Sequence, residues 1–220
     1  MRKQPLWLVV GGTALVLFLI LTSGVVTHAA WLHLFDHHFQ ILLSHFDNPN
    51  RTFTLKEVSL LGSPAVNLAI ATTLAGCCWF IHDRFNAIWI MCAELGADGV
   101  AFVTKELVRR PRPSAQLVPD TGFSFPSGHT ISTATLVLIV IFVLVPYFKD
   151  QEAQLAISLL AVIWLAVIVF ARVYLRDHYP SDVLGALLLA LVWWSAMRVT
   201  YLKLIAPRLA RHAQGEKEVN

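Results

Sequence analysis

Residues 6–26 read LWLVVGGTALVLFLILTSGVV, a run with no formally charged side chain. A helix rises 1.5 Å per residue, so about 20 apolar residues cross the roughly 30 Å hydrocarbon core of a bilayer. Backbone amides find no partners in lipid, which makes a helix the required form of such a segment. The pattern then repeats along the chain. Residues 58–81 are also free of charge, and 86–107 are apolar apart from Glu94, Asp98 and Lys105. Runs at 131–148, 155–171 and 183–197 follow, the last extending toward Leu204 with Arg198 snorkelling to the headgroups. The reading is an all-α polytopic membrane protein: one domain over residues 1–220, with six transmembrane helices in one bundle.

Composition points the same way. Charged residues are 14% of the 220-residue chain against a usual figure of about 25%, and hydrophobic residues reach 56%. The mean hydropathy is +0.63. These values exclude a disordered chain, which must be too polar to collapse, and count against a soluble domain. A net charge of +3 with scattered Lys and Arg gives no basic stripe, so nucleic acid is not an expected partner. Cys77, Cys78 and Cys92 all lie in apolar runs and read as small buried hydrophobes rather than a disulfide framework.

Arg2 and Lys3 precede the first run and Thr27-His28-Ala29-Ala30 follows it, an outline shared with secretory signal peptides. The run exceeds the about 7 to 15 residues of a signal core and is read as a retained anchor. Six crossings put both termini on one side and the connections after helices one, three and five on the other. With the termini inside, the cytoplasm holds Arg2, Lys3, Arg84, Lys149, Arg198, Lys203, Arg208, Arg211 and Lys217. Four of the remaining basic residues crowd into 105–112, where another role for positive charge is available. Setting those aside, the positive-inside bias places the termini in the cytoplasm and the long loops outside, as expected of a bacterial plasma-membrane protein.

Between the first two runs, residues 31–46 alternate Leu, Phe and Ile with His33, Asp36, His37, His38 and His45, the pattern of an amphipathic helix lying in the interface. Segment 29–57 is therefore read as extracytoplasmic and interfacial, and 205–220 as a cytoplasmic tail frayed from 214 onward. His33 and His37 are four apart and could share a zinc ion. No third ligand accompanies them, so imidazoles facing water are the plainer reading, and no metal site is expected.

Polar residues gather at the same-side ends of the third to sixth runs. The first cluster is Lys105, Arg109, Arg110, Pro111, Arg112 and Pro113. The prolines discourage helix past Arg110, so Lys105 projects from a last helical turn while Arg112 lies on an extended segment reaching back, a pair able to grip an anion from two directions. Ordinary snorkelling at a helix end is the competing explanation. The second cluster, Phe123-Ser-Phe-Pro-Ser-Gly-His129-Thr, directly precedes an apolar run. Pro126 suits a helix entry, Gly128 admits a ligand close to the backbone, and first-turn amides with the Ser127 hydroxyl can receive a phosphate oxygen beneath His129. Alone, it would equally be a turn and a capping histidine.

The third cluster spans Arg172 to Asp182. His178 and Asp182 are four apart, so on a helix the carboxylate faces one imidazole nitrogen and orients the other as a nucleophile; Asp177, adjacent in sequence, is the less suitable partner. An Asp complementing a helix dipole explains position 182 as well. Three anion grips (Lys105, Arg112, Arg172), an amide-rich helix start and two imidazoles together suit in-line phosphoryl transfer, where catalysis is mostly positioning and charge stabilisation. Arg and Lys can supply the charge that metal ions supply elsewhere, so neither metal nor cofactor is expected.

Lys105 with six residues before Arg112-Pro113, then Pro126-Ser-Gly-His129, then Arg172 with five residues before His178 and three more before Asp182, resembles the three-part motif of the type 2 phosphatidic acid phosphatase superfamily. That family includes membrane lipid phosphate phosphatases and soluble vanadium haloperoxidases, and six spans favour the former. One departure is Ala171, where the family usually has Ser before the Arg. The resemblance implies that His178 attacks phosphorus to give a phosphohistidine, with Asp182 steadying its charge and His129 protonating the leaving oxygen. It also implies that Lys105, Arg112, Ser127, Gly128 and Arg172 hold the nonbridging oxygens, that vanadate imitates the phosphate, and that the substrate is a lipid phosphate or diphosphate. Phosphatidylglycerol phosphate, undecaprenyl diphosphate, and phosphatidic acid with diacylglycerol diphosphate are the substrates it suggests.

Two accessory readings remain. Arg109 and Arg110 could meet the second phosphate of a diphosphate, or simply be solvated charges at a helix end. Glu94 and Asp98 fall on one helical stripe with residues 101 and 105, so they could line the groove below Lys105 and orient it, or belong to a proton or ion path. An anion transporter with a basic vestibule is the rival class, and it has no need of a histidine with a carboxylate four residues on.

Overall fold

The computed structural model describes residues 4–205. The charges read at Arg2, Lys3, Arg208, Arg211 and Lys217, and the tail expected beyond Ile205, lie outside the described residues. The described chain is helical: α1 (Gln4–Val26), α2 (Ala30–Ser44), α3 (Pro49–Leu61), α4 (Pro64–Phe80), α5 (Arg84–Val108), α6 (Gly128–Ile139), α7 (Gln151–Tyr174) and α8 (Pro180–Thr200). Five helices are long and apolar enough to span a membrane, and α3 with α4 makes a sixth if the bent pair is one span.

That pair corrects an expectation. Residues 58–81 read as one transmembrane helix, but the chain breaks at 62–63 and bends by 41° between α3 and α4. Ser63 caps α4 by accepting from the Val66 amide at 3.4 Å, and Pro64 occupies the first helical position, where its missing N–H costs nothing. Gly62 sits at the bend against α7, where a Cβ would stand 2.4 Å from Ile168 Cδ1. The buried Asn67 amide ties the bend to α6, donating to Gly62 O (3.2 Å) and Thr133 Oγ1 (2.9 Å). Helix α3 itself starts at Pro49, capped by Asn48 Oδ1, so helix occupies part of the segment expected to be interfacial.

Burial sorts the helices by role. In α1 only a stripe is buried, Trp7, Ala14, Phe18, Leu21 and Val25, at helical spacing. That stripe faces α8, while Leu8, Val9, Val16 and Ile20 stay exposed as they would toward lipid. Only 6% of the α7 span is buried, against 61% of the span that begins with α6. Helix α6 is therefore the axis of the bundle, packed by α4, α5, α7 and α8. It loosens into a π-helical turn (Val140–Leu144) and a 3₁₀ turn (Val145–Tyr147) around Pro146, which cannot donate to the helical ladder.

Close packing carries this order to the polar end. Phe125, fully buried, stacks on Phe18 (5.9 Å between centroids) and lies over Gly185 of α8, where a Cβ would stand 2.5 Å from its ring. Gly185→Ala is expected to displace Phe125 and the chain leading into α6, costing about 1–3 kcal/mol. Thermal unfolding in detergent checks this: a lower Tm is expected, and an unchanged Tm would show that the ring gives way freely.

Candidate active site

Four helix ends build the site. Arg109 terminates α5 in the left-handed region (φ 51°), with its amide on Lys105 O. The following loop is stitched across the bundle by Ser124 N to Arg110 O (2.8 Å), Leu117 N to Leu175 O (3.0 Å) and Ser127 N to Asp182 O (3.2 Å). These bonds draw the end of α5, the start of α6, the end of α7 and the start of α8 to one place.

The cations read from sequence meet there. Arg112 Nη1 lies 3.4 Å from His178 Nε2 and donates to Asp177 O at 2.8 Å, while its Nε is held by Thr121 O and Gly122 O. Arg172, nearly fully buried, pairs with Asp177 (2.9 Å) and donates to Ser59 Oγ of α3 (2.9 Å). A hydroxyl thus reaches Arg172 from α3, although position 171, also buried, carries alanine. Lys105 has no hydrogen bond or ion pair among the described residues, but shares its electrostatic surroundings with Arg112, Arg172, Asp120 and Asp182. Among the described residues, two buried nitrogens of the site, Arg172 Nε and His178 Nδ1, have no hydrogen-bond partner. The sequence reading missed Asp120, whose Oδ2 bridges Arg112 (2.9 Å) and Arg172 (2.7 Å). Burial works against its charge, but the two guanidinium groups outweigh burial and hold the carboxyl below its ordinary range.

His178 is buried between these cations and Asp182. Burial, followed by Arg172, Arg112 and Lys105, pushes its pKa well below the ordinary imidazole value, so the ring is neutral and carries a lone pair. Its Nδ1 faces Asp182 Oδ2 at 3.6 Å, longer than a hydrogen bond. Asp177 turns instead to Arg172, and burial raises it to about 6. His129, in the first turn of α6, lies within electrostatic range of His178, Arg172, Arg112 and Asp120.

Ser127 caps α6, accepting from the Thr130 amide (3.4 Å) and hydroxyl (3.0 Å), which leaves its own proton to donate. At Gly128 a Cβ would meet only Pro64 Cγ at an ordinary 3.8 Å, so packing does not demand glycine there.

Arg110 behaves differently from a solvated charge. It donates to Asp182 Oδ1 (2.6 Å), Asp36 Oδ2 (2.7 Å) and Ser181 Oγ (2.7 Å), and lies over the Tyr179 ring at 3.9 Å. Burial disfavours its charge, yet Asp182 and Asp36 outweigh burial and hold the guanidinium above its ordinary range. Asp36 was grouped with the water-facing residues of 31–46, but it is 2% exposed, and it accepts from the Ser181 amide (2.9 Å) and hydroxyl (2.7 Å). Arg109 turns outward, donating to Glu106 O and lying 5.9 Å from the centre of the Phe123 ring.

Glu94 is fully buried and accepts from Ser132 Oγ at 2.6 Å, with Asp98 beside the same hydroxyl. Neither forms an ion pair with Lys105. The stripe is shared, but eleven residues of helix separate Glu94 from Lys105 by about 16 Å. His33 and His37 stack at 6.0 Å, and no group of three or more His, Cys, Asp or Glu suited to a metal occurs among the described residues.

Residues 85–205, over half of the chain, match the PAP2 superfamily. Phosphatidylglycerophosphatase B of Bacillus subtilis (strain 168) is 31% identical over 140 residues, 61% of this chain and 68% of that protein. Phosphatidylglycerophosphatase B of Haemophilus influenzae is 46% identical over 72 residues, 32% of this chain and 30% of that protein. The fold agrees with the crystal structure of a transmembrane PAP2-type phosphatidylglycerolphosphate phosphatase from Bacillus subtilis at a TM-score of 0.80, over 89% of this chain and 98% of that one, at 22% identity. On its matched length and on its similarity to the first of these relatives, the chain belongs to the PAP2 superfamily.

Proposed function

We propose that this membrane protein is a lipid phosphatase that releases phosphate from a phosphatidylglycerol phosphate-like monoester by way of a phosphohistidine at His178. The observation that carries the reading is the position of His178: a buried, neutral imidazole whose Nε2 lies 3.4 Å from an arginine of the anion cradle. The phosphatidylglycerophosphatase B relatives support the choice of lipid.

Lys105, Arg112 and Arg172 hold the nonbridging oxygens with the Ser127 hydroxyl and the Gly128 amide. His178 Nε2 attacks phosphorus, the N–P bond forms, and the P–O bond to the lipid breaks. Protonated His129 gives its proton to the leaving oxygen, releasing the lipid alcohol. Water then attacks phosphorus, returns a proton to His129 and breaks the N–P bond, freeing inorganic phosphate. Asp182 steadies the positive charge that His178 carries while phosphorylated. The fixed cations stabilise the charge of both transition states, so the reaction needs no metal ion. The positive-inside bias puts this chemistry on the extracytoplasmic side with both termini in the cytoplasm.

Among other lipids, undecaprenyl diphosphate drew support from Arg109 and Arg110. Arg110 is committed to two carboxylates and Arg109 points outward, so the monoester takes precedence. Phosphatidic acid or diacylglycerol diphosphate would use the same cradle. An anion transporter leaves the pairing of His178 with Asp182 without a purpose.

His178→Ala is expected to lower phosphate release about 10³-fold or more and to abolish phosphoenzyme labelling, whereas His129→Ala lowers turnover about 10²–10⁴-fold yet retains some labelling. Full turnover in His178→Ala would refute the assignment. Chelator should leave the rate unchanged, and vanadate should inhibit; a rate lost to chelator and restored by a divalent cation would contradict the metal-free route. Because its pKa is depressed, His178 stays neutral as pH falls through 6.5. Imidazole ¹⁵N NMR, assigned by the resonance missing from His178→Ala, is expected to show no protonation of this ring at pH 6, and a midpoint near 6.5 would contradict that.

A further inference from the structure

Asp120 has no role in the chemistry just described, yet it pairs with two of the cations on which that chemistry depends. A single oxygen, Oδ2, meets Arg112 Nη1 at 2.9 Å and Arg172 Nη2 at 2.7 Å. One nonbridging phosphate oxygen held between two guanidinium groups would make the same contacts. We propose that the Asp120 carboxylate occupies a phosphate-oxygen position in the free enzyme and is displaced by the substrate, which makes Asp120 a specificity-determining residue. The inference rests on the phosphatase reading and sets a threshold within it: a group enters the cradle only if it binds the arginines better than a tethered carboxylate does.

The anchoring of the partners supports displacement. Arg112 and Arg172 are fixed without Asp120, the first by Thr121 O, Gly122 O and Asp177 O, the second by Ser59 and Asp177. Their side chains are 10% and 5% exposed, against 32% for Asp120, so the carboxylate sits at the mouth and the cations behind it. Asp120 belongs to the loop between α5 and α6, and Gly122 two residues on has φ +78° with open space where a Cβ would be. Rotation of the Asp120 side chain alone is enough to withdraw the carboxylate, which leaves Thr121 O and Gly122 O in place on Arg112. The buried Arg172 Nε has no partner while Asp120 is in place. A phosphate has three nonbridging oxygens to offer where this carboxylate commits one. Because a bound internal anion and an external one exclude each other, removing the internal charge raises the apparent affinity for the external one.

The test compares wild type, Asp120→Asn, Asp120→Ser and Asp120→Glu, all full-length in mixed micelles. Inhibition constants for orthovanadate and inorganic phosphate are measured, together with KM and kcat on a short-chain phosphatidylglycerol phosphate. Asp120→Asn and Asp120→Ser are expected to lower both inhibition constants and KM about tenfold, equivalent to about 1.4 kcal/mol, with a smaller change in kcat. Asp120→Glu, which keeps the charge, should stay near wild type. Unchanged or raised inhibition constants in both neutral variants would overturn the proposal. So would failure of both to fold while Asp120→Glu folds, since Asp120 would then be a clip for its loop. If the wild-type protein releases no phosphate, the phosphatase reading fails separately, and the Tm increase produced by inorganic phosphate still compares anion affinity among the same variants.

Discussion

Concentrating cations at one end of an apolar bundle is the constraint around which this protein is organised. Arg110, Arg112, Arg172 and Lys105 converge where the dielectric is low, and such a cluster can persist only if carboxylates offset its repulsion. Each carboxylate comes from a different part of the chain: Asp36 from α2, Asp120 from the α5–α6 loop, Asp177 from the α7–α8 turn and Asp182 from α8. Neutralisation therefore also assembles the site, because no charge balance exists until those segments meet. Removing one partner of a buried pair of this kind typically costs about 3–5 kcal/mol.

Not all the cations are treated alike. Arg110 is saturated by two carboxylates and an aromatic face, and its work is to fasten α2 to the start of α8 beside His178. Among the described residues Lys105 makes no hydrogen bond or ion pair, and Arg172 retains one unpaired nitrogen. The asymmetry separates a structural clamp from the cations to which the proposed function assigns the phosphate. It also bears on His178, whose imidazole is kept unprotonated by burial first and by the surrounding positive charge second.

Much of this arrangement could be read before any fold was known. The helices were legible because lipid demands long apolar runs, and Lys105, Arg112, Ser127, His129, Arg172, His178 and Asp182 stood out because each lies where such a run begins or ends. What escaped depends on contacts between distant segments. Asp36 meets Ser181 across 145 positions, and only the packing of α2 reveals it as a buried acceptor rather than a wet one. Asp120 lies in a polar loop where acids are unremarked. Arg109 and Arg110, neighbours in sequence, turn in different directions because the chain leaves the helix at Arg109 in the left-handed region. The bend at 62–63 did carry a local sign, Gly62-Ser63-Pro64, but an unbroken apolar run masked it.

Membership of the PAP2 superfamily gives the fold a context, while the local geometry gives this chain its own chemistry: a neutral buried imidazole at the back of a cationic cup, with a tethered carboxylate across the mouth. A structure determined with orthovanadate tests that account most directly. Vanadium bonded to His178 Nε2, with its oxygens on Arg112, Arg172 and Lys105 and Asp120 turned away, is the predicted result. Vanadate bound elsewhere, with His178 unoccupied and Asp120 still between the two arginines, would contradict it.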